Sequence, residues 1–166
     1  MGLSAEEEGQ VGKALIQLRL MGAALIMGVL SFLAVAAFLR GSGAFTGVAM
    51  SLPLPLPALG LLVGLGPLAF SFVLKGNLLR PESFAGLPPQ DRLPRVLSRY
   101  RQATIVALAL CEGGAFMVLV STLISTDSLV WAAAALVPMG GMIFHFPTRL
   151  ALEACLDDAR RLEQQG

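Results

Sequence analysis

A single carboxylate, Glu112, stands near the middle of a long apolar run, Ala103-Thr-Ile-Val-Ala-Leu-Ala-Leu-Cys-Glu112-Gly-Gly-Ala-Phe-Met-Val-Leu-Val-Ser-Thr-Leu-Ile-Ser125. It is the only acidic residue inside any of the long apolar runs. If the run is helical, Glu112 lies about 9 residues in, roughly 14 Å deep. A carboxylate at that depth in a membrane costs several kcal/mol when charged, so it must be protonated, paired or facing a wet cavity. Lys75, Arg19 and His145 lie near the ends of their own runs and do not share its depth. Without a counter-charge, Glu112 is expected to keep its proton at neutral pH and to hydrogen-bond inside a helix bundle. Gly113 and Gly114 follow it and leave room for close helix approach, a carbonyl or a water. Gly28 falls over Glu112 when the first run is laid on the third. Glu112, Gly113, Gly114 and Gly28 are therefore the candidate ion or proton site. The plainer reading of the same residues is one hydrogen bond that fixes helix packing.

The remaining polar chemistry is thinner. His145 and Arg149 flank Phe146-Pro147 and are expected at the cytoplasmic interface. A lone histidine there is a poor metal ligand, and no metal site is expected. Cys111 and Cys155 are the two cysteines and are expected at different depths, so no disulfide is anticipated. No hydrolase elbow, phosphate loop, paired histidines or dinucleotide fingerprint is present. Neither an enzyme nor a cofactor is expected, and a net charge of +1 points away from a nucleic-acid partner.

Composition says what must position Glu112. Only 14% of the 166 residues are charged, against roughly 25% in a soluble domain, and the charges cluster at the ends and in one central segment. Four apolar runs remain, near 17–39, 57–78, 103–125 and 128–147. Each has about 20 residues, enough for a hydrocarbon core of ~30 Å. Of the twelve Lys and Arg residues, all but Arg40 fall on one side of this four-span arrangement. The positive-inside rule makes that side cytoplasmic and puts both termini there. Ala34-Val35-Ala36 resembles a leader-peptide cleavage site, but Glu6-Glu7-Glu8 and the length of the run argue against cleavage.

Local signals divide the chain further. Ser4-Ala5-Glu6-Glu7 reads as a capping box that opens the first helix. Gly41 to Gly47 break that helix, and the alternating prolines of Ser51-Leu-Pro-Leu-Pro-Leu-Pro57 hold an extended stretch. A cytoplasmic loop is expected over 79–101, with Arg95 to Arg101 helical and leading into the third span. Asp127 or Ser128 can cap the fourth span, and Pro67 and Pro138 are expected to kink their helices. Gly60, Gly64 and Gly66 on the second span, with Gly140 and Gly141 on the fourth, form small-residue faces for helix packing. After Pro147 a cytoplasmic amphipathic helix is expected over 148–164, its apolar stripe made of Leu152, Cys155, Leu156, Ala159 and Leu162. It should rest on headgroups or on its neighbours.

The halves resemble each other. Gly66, Phe70 and Phe72 match Gly140, Phe144 and Phe146, and Ser31-Phe32 falls over Ala115-Phe116. Such a repeat is parallel, related by an axis along the membrane normal.

Two family resemblances follow. Arg101 to Glu112 is similar to the second helix of a rotary ATP synthase ring proteolipid, with Gly60, Gly64 and Gly66 for its glycine-rich first helix; the likeness covers the second and third spans only. Over the whole chain, Ala109-Leu110-Cys111-Glu112 and Phe146-Pro147-Thr148-Arg149 resemble motifs of small uncharacterised four-span bacterial membrane proteins, which implies an inner-membrane location. The expected fold is all-α: one membrane domain over 1–166, a four-helix transmembrane bundle with a tandem repeat of a two-helix hairpin. The expected role is a structural or accessory subunit with a buried, neutral Glu112. The alternative is a proton or cation transport element using Glu112. Membrane lipids, other membrane subunits or further copies of the chain are the partners this allows.

Overall fold

The computed structural model describes residues 4–49, 53–84 and 88–161. Helix α1 (Ala5–Gly41) opens on the capping box: Ser4 Oγ accepts from the Glu7 amide at 3.3 Å, and the Glu7 carboxylate accepts from the Ser4 amide at 2.8 Å. Glu6, Glu7 and Glu8 lie in its first turn, where the helix dipole favours acids. Helix α2 (Leu56–Leu78) starts at Pro55, with Pro57 in its first turn, where the missing amide is not needed. A short 3-10 helix (Pro81–Phe84) leads towards α3 (Pro89–Ile124). A second 3-10 helix (Leu129–Ala135), capped by Ser128 Oγ, runs into α4 (Leu136–Phe144), and α5 (Arg149–Arg161) closes the described chain. Among the described residues there is no strand, only an isolated bridge between Val48 and Ser125.

Helices α1, α2 and the stretch Arg92–Ile124 of α3 are each long and apolar enough to cross a membrane. The fourth segment differs from the expected single helix. Its first part is 3-10 and only nine residues are α-helical; α5 then leaves at 51°. Pro138 supplies a reason, since it has no amide to donate to the carbonyl of Ala134, and the tighter 3-10 turns before it avoid that gap. Pro67, by contrast, is carried inside a continuous α2. The expected loop over 79–101 is also shorter: α3 is already helical at Pro89, which suits the first helical position. Ser51 and Leu52 of the proline stretch, and Leu162 of the amphipathic stripe, lie outside the described residues.

Helix α3 is the axis of the bundle. Half of its apolar window is buried inside the chain, against 17% for α1 and 22% for α2. Helix α2 runs antiparallel to it at very short range. A Cβ on Gly64 would lie 2.7 Å from the Gly114 carbonyl, and one on Gly114 would lie 2.7 Å from the Gly64 carbonyl. A Cβ on Gly60 would overlap the Ser121 side chain, and one on Gly141 would overlap Leu68 and come within 3.0 Å of Cys111 Sγ. Gly66 and Gly140 differ: a Cβ on either meets nothing within 4 Å.

Helix α1 runs parallel to α3 in constant register. Arg101 donates to Gln17 across a separation of 84 residues, Gly28 lies over Glu112, and the Phe32 and Phe116 rings meet edge-on at 5.3 Å. At 37 and 36 residues, each is about 55 Å long, well beyond a ~30 Å hydrocarbon core. The excess lies at their N-terminal ends. There Val11, Leu15 and Leu18 of α1 and Val96 and Tyr100 of α3 bury the Leu152–Leu156 stripe of α5. The amphipathic helix thus rests on its neighbours. At the opposite end Arg40 donates to the carbonyls of Ser125 at 2.5 Å, Asp127 at 2.6 Å and Thr46 at 3.2 Å. That pins the α1–α2 loop to the end of α3. Gly47 has φ +75° there, and any side chain would collide with the Ser125 carbonyl.

The α2–α3 contact predicts unequal responses to one substitution. Gly64→Val should lose about 2 kcal/mol or more of stability, because the backbones cannot separate cheaply. Gly66→Val should stay within about 0.5 kcal/mol. Reversible unfolding in mixed micelles followed by circular dichroism measures both; equal losses would contradict the close approach.

Candidate functional site

Glu112 is not in the packed interior. Its neighbours Cys111 and Ala115 are fully buried, whereas Glu112 is partly exposed. At 100° per residue, Glu112 faces α1 while Gly114 faces α2. The carboxyl opens over Gly28, where a Cβ would lie 3.5 Å from Oε1. Among the described residues nothing donates to Glu112 or pairs with it. The expected hydrogen bond inside the bundle is therefore corrected: the carboxyl sits at the rim of the α1–α3 contact. Gly113 is exposed with open space beside it. Gly114 serves the contact with α2 on the other side of the helix, not the surroundings of the carboxyl. The structure thus brings Glu112 and Gly28 together and separates both from Gly114.

His145 is also placed differently from the expectation of an interfacial side chain. It is 1% exposed, at the foot of α4. Its Nε2 lies 2.9 Å from Ser71 Oγ, and its ring is tilted against Phe72 at 4.4 Å. Ser71 is itself fully buried and donates its one hydrogen to the Leu68 carbonyl at 2.6 Å. Its oxygen must then accept from its other neighbours. This assigns the proton of His145 to Nε2, and lets the Cys111 thiol, 3.5 Å away, donate to the same oxygen. Nδ1 is left as a bare, buried acceptor with no partner among the described residues.

Around this pair, three helices send donors to one turn. Lys75 of α2 donates to the His145 carbonyl at 3.4 Å, Arg19 of α1 to Pro147 at 3.3 Å, and Tyr100 of α3 to Thr148 at 3.5 Å. The Lys75 ammonium also lies 5.9 Å from the Tyr100 ring centre. The Phe146-Pro147 break frees the His145 and Pro147 carbonyls from helical bonding, whereas the Thr148 carbonyl also accepts from the Leu152 amide at the start of α5, at 3.3 Å. Arg149, just beyond, is exposed and pairs with Glu153 at 2.6 Å and Glu8 at 3.5 Å. Cys155 faces the same region from α5; burial pushes its thiol up, with Asp158 adding and Lys75 opposing. Both cysteines are free thiols, and no cluster of metal-binding side chains occurs among the described residues.

Ser71, Lys75 and Tyr100 escaped the sequence reading as site residues. A signal was present: Ser71 and Lys75 are four apart on an apolar helix, and so share a face. What they would meet was not legible, because His145 lies 74 residues from Ser71. Comparison with protein-family models, curated proteins and solved structures finds no match.

The Ser71 junction is testable. Ser71→Ala removes the acceptor of two buried donors and should cost about 1–3 kcal/mol. Ser31→Ala, at an exposed site on α1, should change stability by less than about 0.5 kcal/mol. Thermal unfolding in detergent compares the two, and equal midpoints would refute a stabilising bond between Ser71 and His145.

Proposed function

We propose that this chain is an integral protein of the bacterial inner membrane, with four spans and both termini in the cytoplasm. In this reading it is a structural or accessory subunit and not an enzyme. Three helices of membrane length support three of the spans, and the apolar segment Leu129–Phe144, which is shorter, supports the fourth. Of the basic residues, only Arg40 lies at the end away from α5, which supports the orientation. The common register of α1 and α3 supports a tandem duplication. So does the neighbouring of α2 with the fourth segment through Leu68–Gly141, Ser71–His145 and Phe72–Phe144.

The observation on which the accessory role rests is the unanswered carboxyl of Glu112. It stands mid-helix, partly exposed, beside α1, whose apolar window is only 17% buried by the chain itself. An acid in oil with no partner is uncharged or completed from outside. A chain that leaves it so is built to be one part of a larger membrane assembly. The second reading, a proton or cation transport element, is favoured by the same carboxyl lying open over Gly28.

Purified protein in vesicles loaded with a pH-sensitive dye separates the readings. The accessory role predicts proton leak equal to that of empty vesicles, and no change on Glu112→Gln. Flux that Glu112→Gln abolishes with the fold intact would replace it by the transport reading. Topology is checked by single-cysteine labelling in intact cells, on a variant with Cys111 and Cys155 replaced. A cysteine at Thr46 should react with a membrane-impermeant maleimide and one at Asp157 should not; the reverse pattern would invert the proposed orientation.

A further inference from the structure

We propose that the α1–α3 seam at Glu112 is a docking groove for a membrane helix of a different subunit, one that carries a basic side chain at mid-depth. The inference rests on the accessory reading and names the chemistry of the partner. Glu112 forms the floor of the groove and opens over Gly28. Ala24 and Ser31, a turn to either side of Gly28, are exposed, as are Ala109 and Gly113 beside Glu112 on α3. These four exposed residues are small, and the Phe32–Phe116 ring pair closes the seam one turn beyond them. A long side chain from a third helix can therefore reach Glu112 over Ala24, Ser31, Ala109 and Gly113, where small residues let the helix backbones approach.

Charge selects the occupant. Ionisable groups inside a membrane pair with one another, and a carboxylate calls for a cation. A second copy of this chain cannot supply one, because none of its Lys and Arg residues lies near the level of Glu112; Arg19 and Arg101, inside α1 and α3, are roughly 14 and 17 Å from that level along their helices. Lipid headgroups are wrong in depth, and anionic ones also in sign. A basic side chain on a foreign helix meets both requirements. Gly28 has a definite part in this: a larger residue there would fill the space above Oε1.

The test uses the full chain, labelled with a donor dye at its amino terminus, in phosphatidylcholine vesicles. The probes are two acceptor-labelled transmembrane peptides of Leu and Ala, one with a central Lys and one with Leu in its place. Energy transfer should show about tenfold tighter association of the Lys peptide with the natural chain. That preference should vanish in Glu112→Leu and in Gly28→Leu, with helical content by circular dichroism confirming the fold of each variant. Equal binding of the two peptides, or a preference that survives Glu112→Leu, would overturn the proposal. So would transfer between two copies of the chain that depends on Glu112. The dye-loaded vesicles judge the accessory role and the peptides judge the groove, so either can fail alone.

Discussion

A helix that ends at a break leaves its last carbonyl oxygens without helical donors, and the donors must come from elsewhere. The fold depends on how this chain meets that requirement. At the break between α4 and α5, Lys75 and Arg19 reach the freed carbonyls of His145 and Pro147, and Tyr100 reaches that of Thr148 beside them. They come from α2, α1 and α3, so one turn ties all three long helices together. At the far end Arg40 does the same for Ser125 and Asp127. Cations also suit these places because helix C-termini carry partial negative charge.

With its ends tied, the bundle is organised about α3. Helix α2 touches it backbone to backbone at Gly64 and Gly114, while α1 lies alongside in parallel register. Glu112 and Gly114 are two positions apart on α3, and that rotation alone puts the acid on the α1 side and the glycine on the α2 side. A polar group one step from the buried Cys111 thus remains partly open. Below the membrane-length segments, the long N-terminal ends of α1 and α3 provide the floor on which α5 rests.

Glu112 was conspicuous in the sequence because it is an acid among apolar residues, and Gly28 came with it through the repeat register. Their adjacency in space is a consequence of parallel helices that keep this register. The Ser71–His145 pair left no such trace. Serine is common in apolar helices, and a lone histidine beside a proline reads as interfacial. Only the packing of α2 against the foot of α4 makes each the partner of the other. The glycines divide in the same way: Gly60 and Gly64 meet α3, while Gly66, two residues further along the same helix, meets nothing.

By itself the sequence determined which segments are apolar and helical and where α1, α2 and α3 end, but not that α3 already begins at Pro89. Apolar length, the Ser4 cap, the glycines after Arg40 and the break at Pro147 act on near neighbours in the chain, and such terms are local. The tertiary structure decided the rest: which way Glu112 faces, what His145 donates to, and how the fourth segment divides into 3-10 and α-helical parts. Those outcomes depend on how far each helix is turned about its own axis. That rotation is set by contacts with residues many positions away, where a missing Cβ permits two backbones to touch.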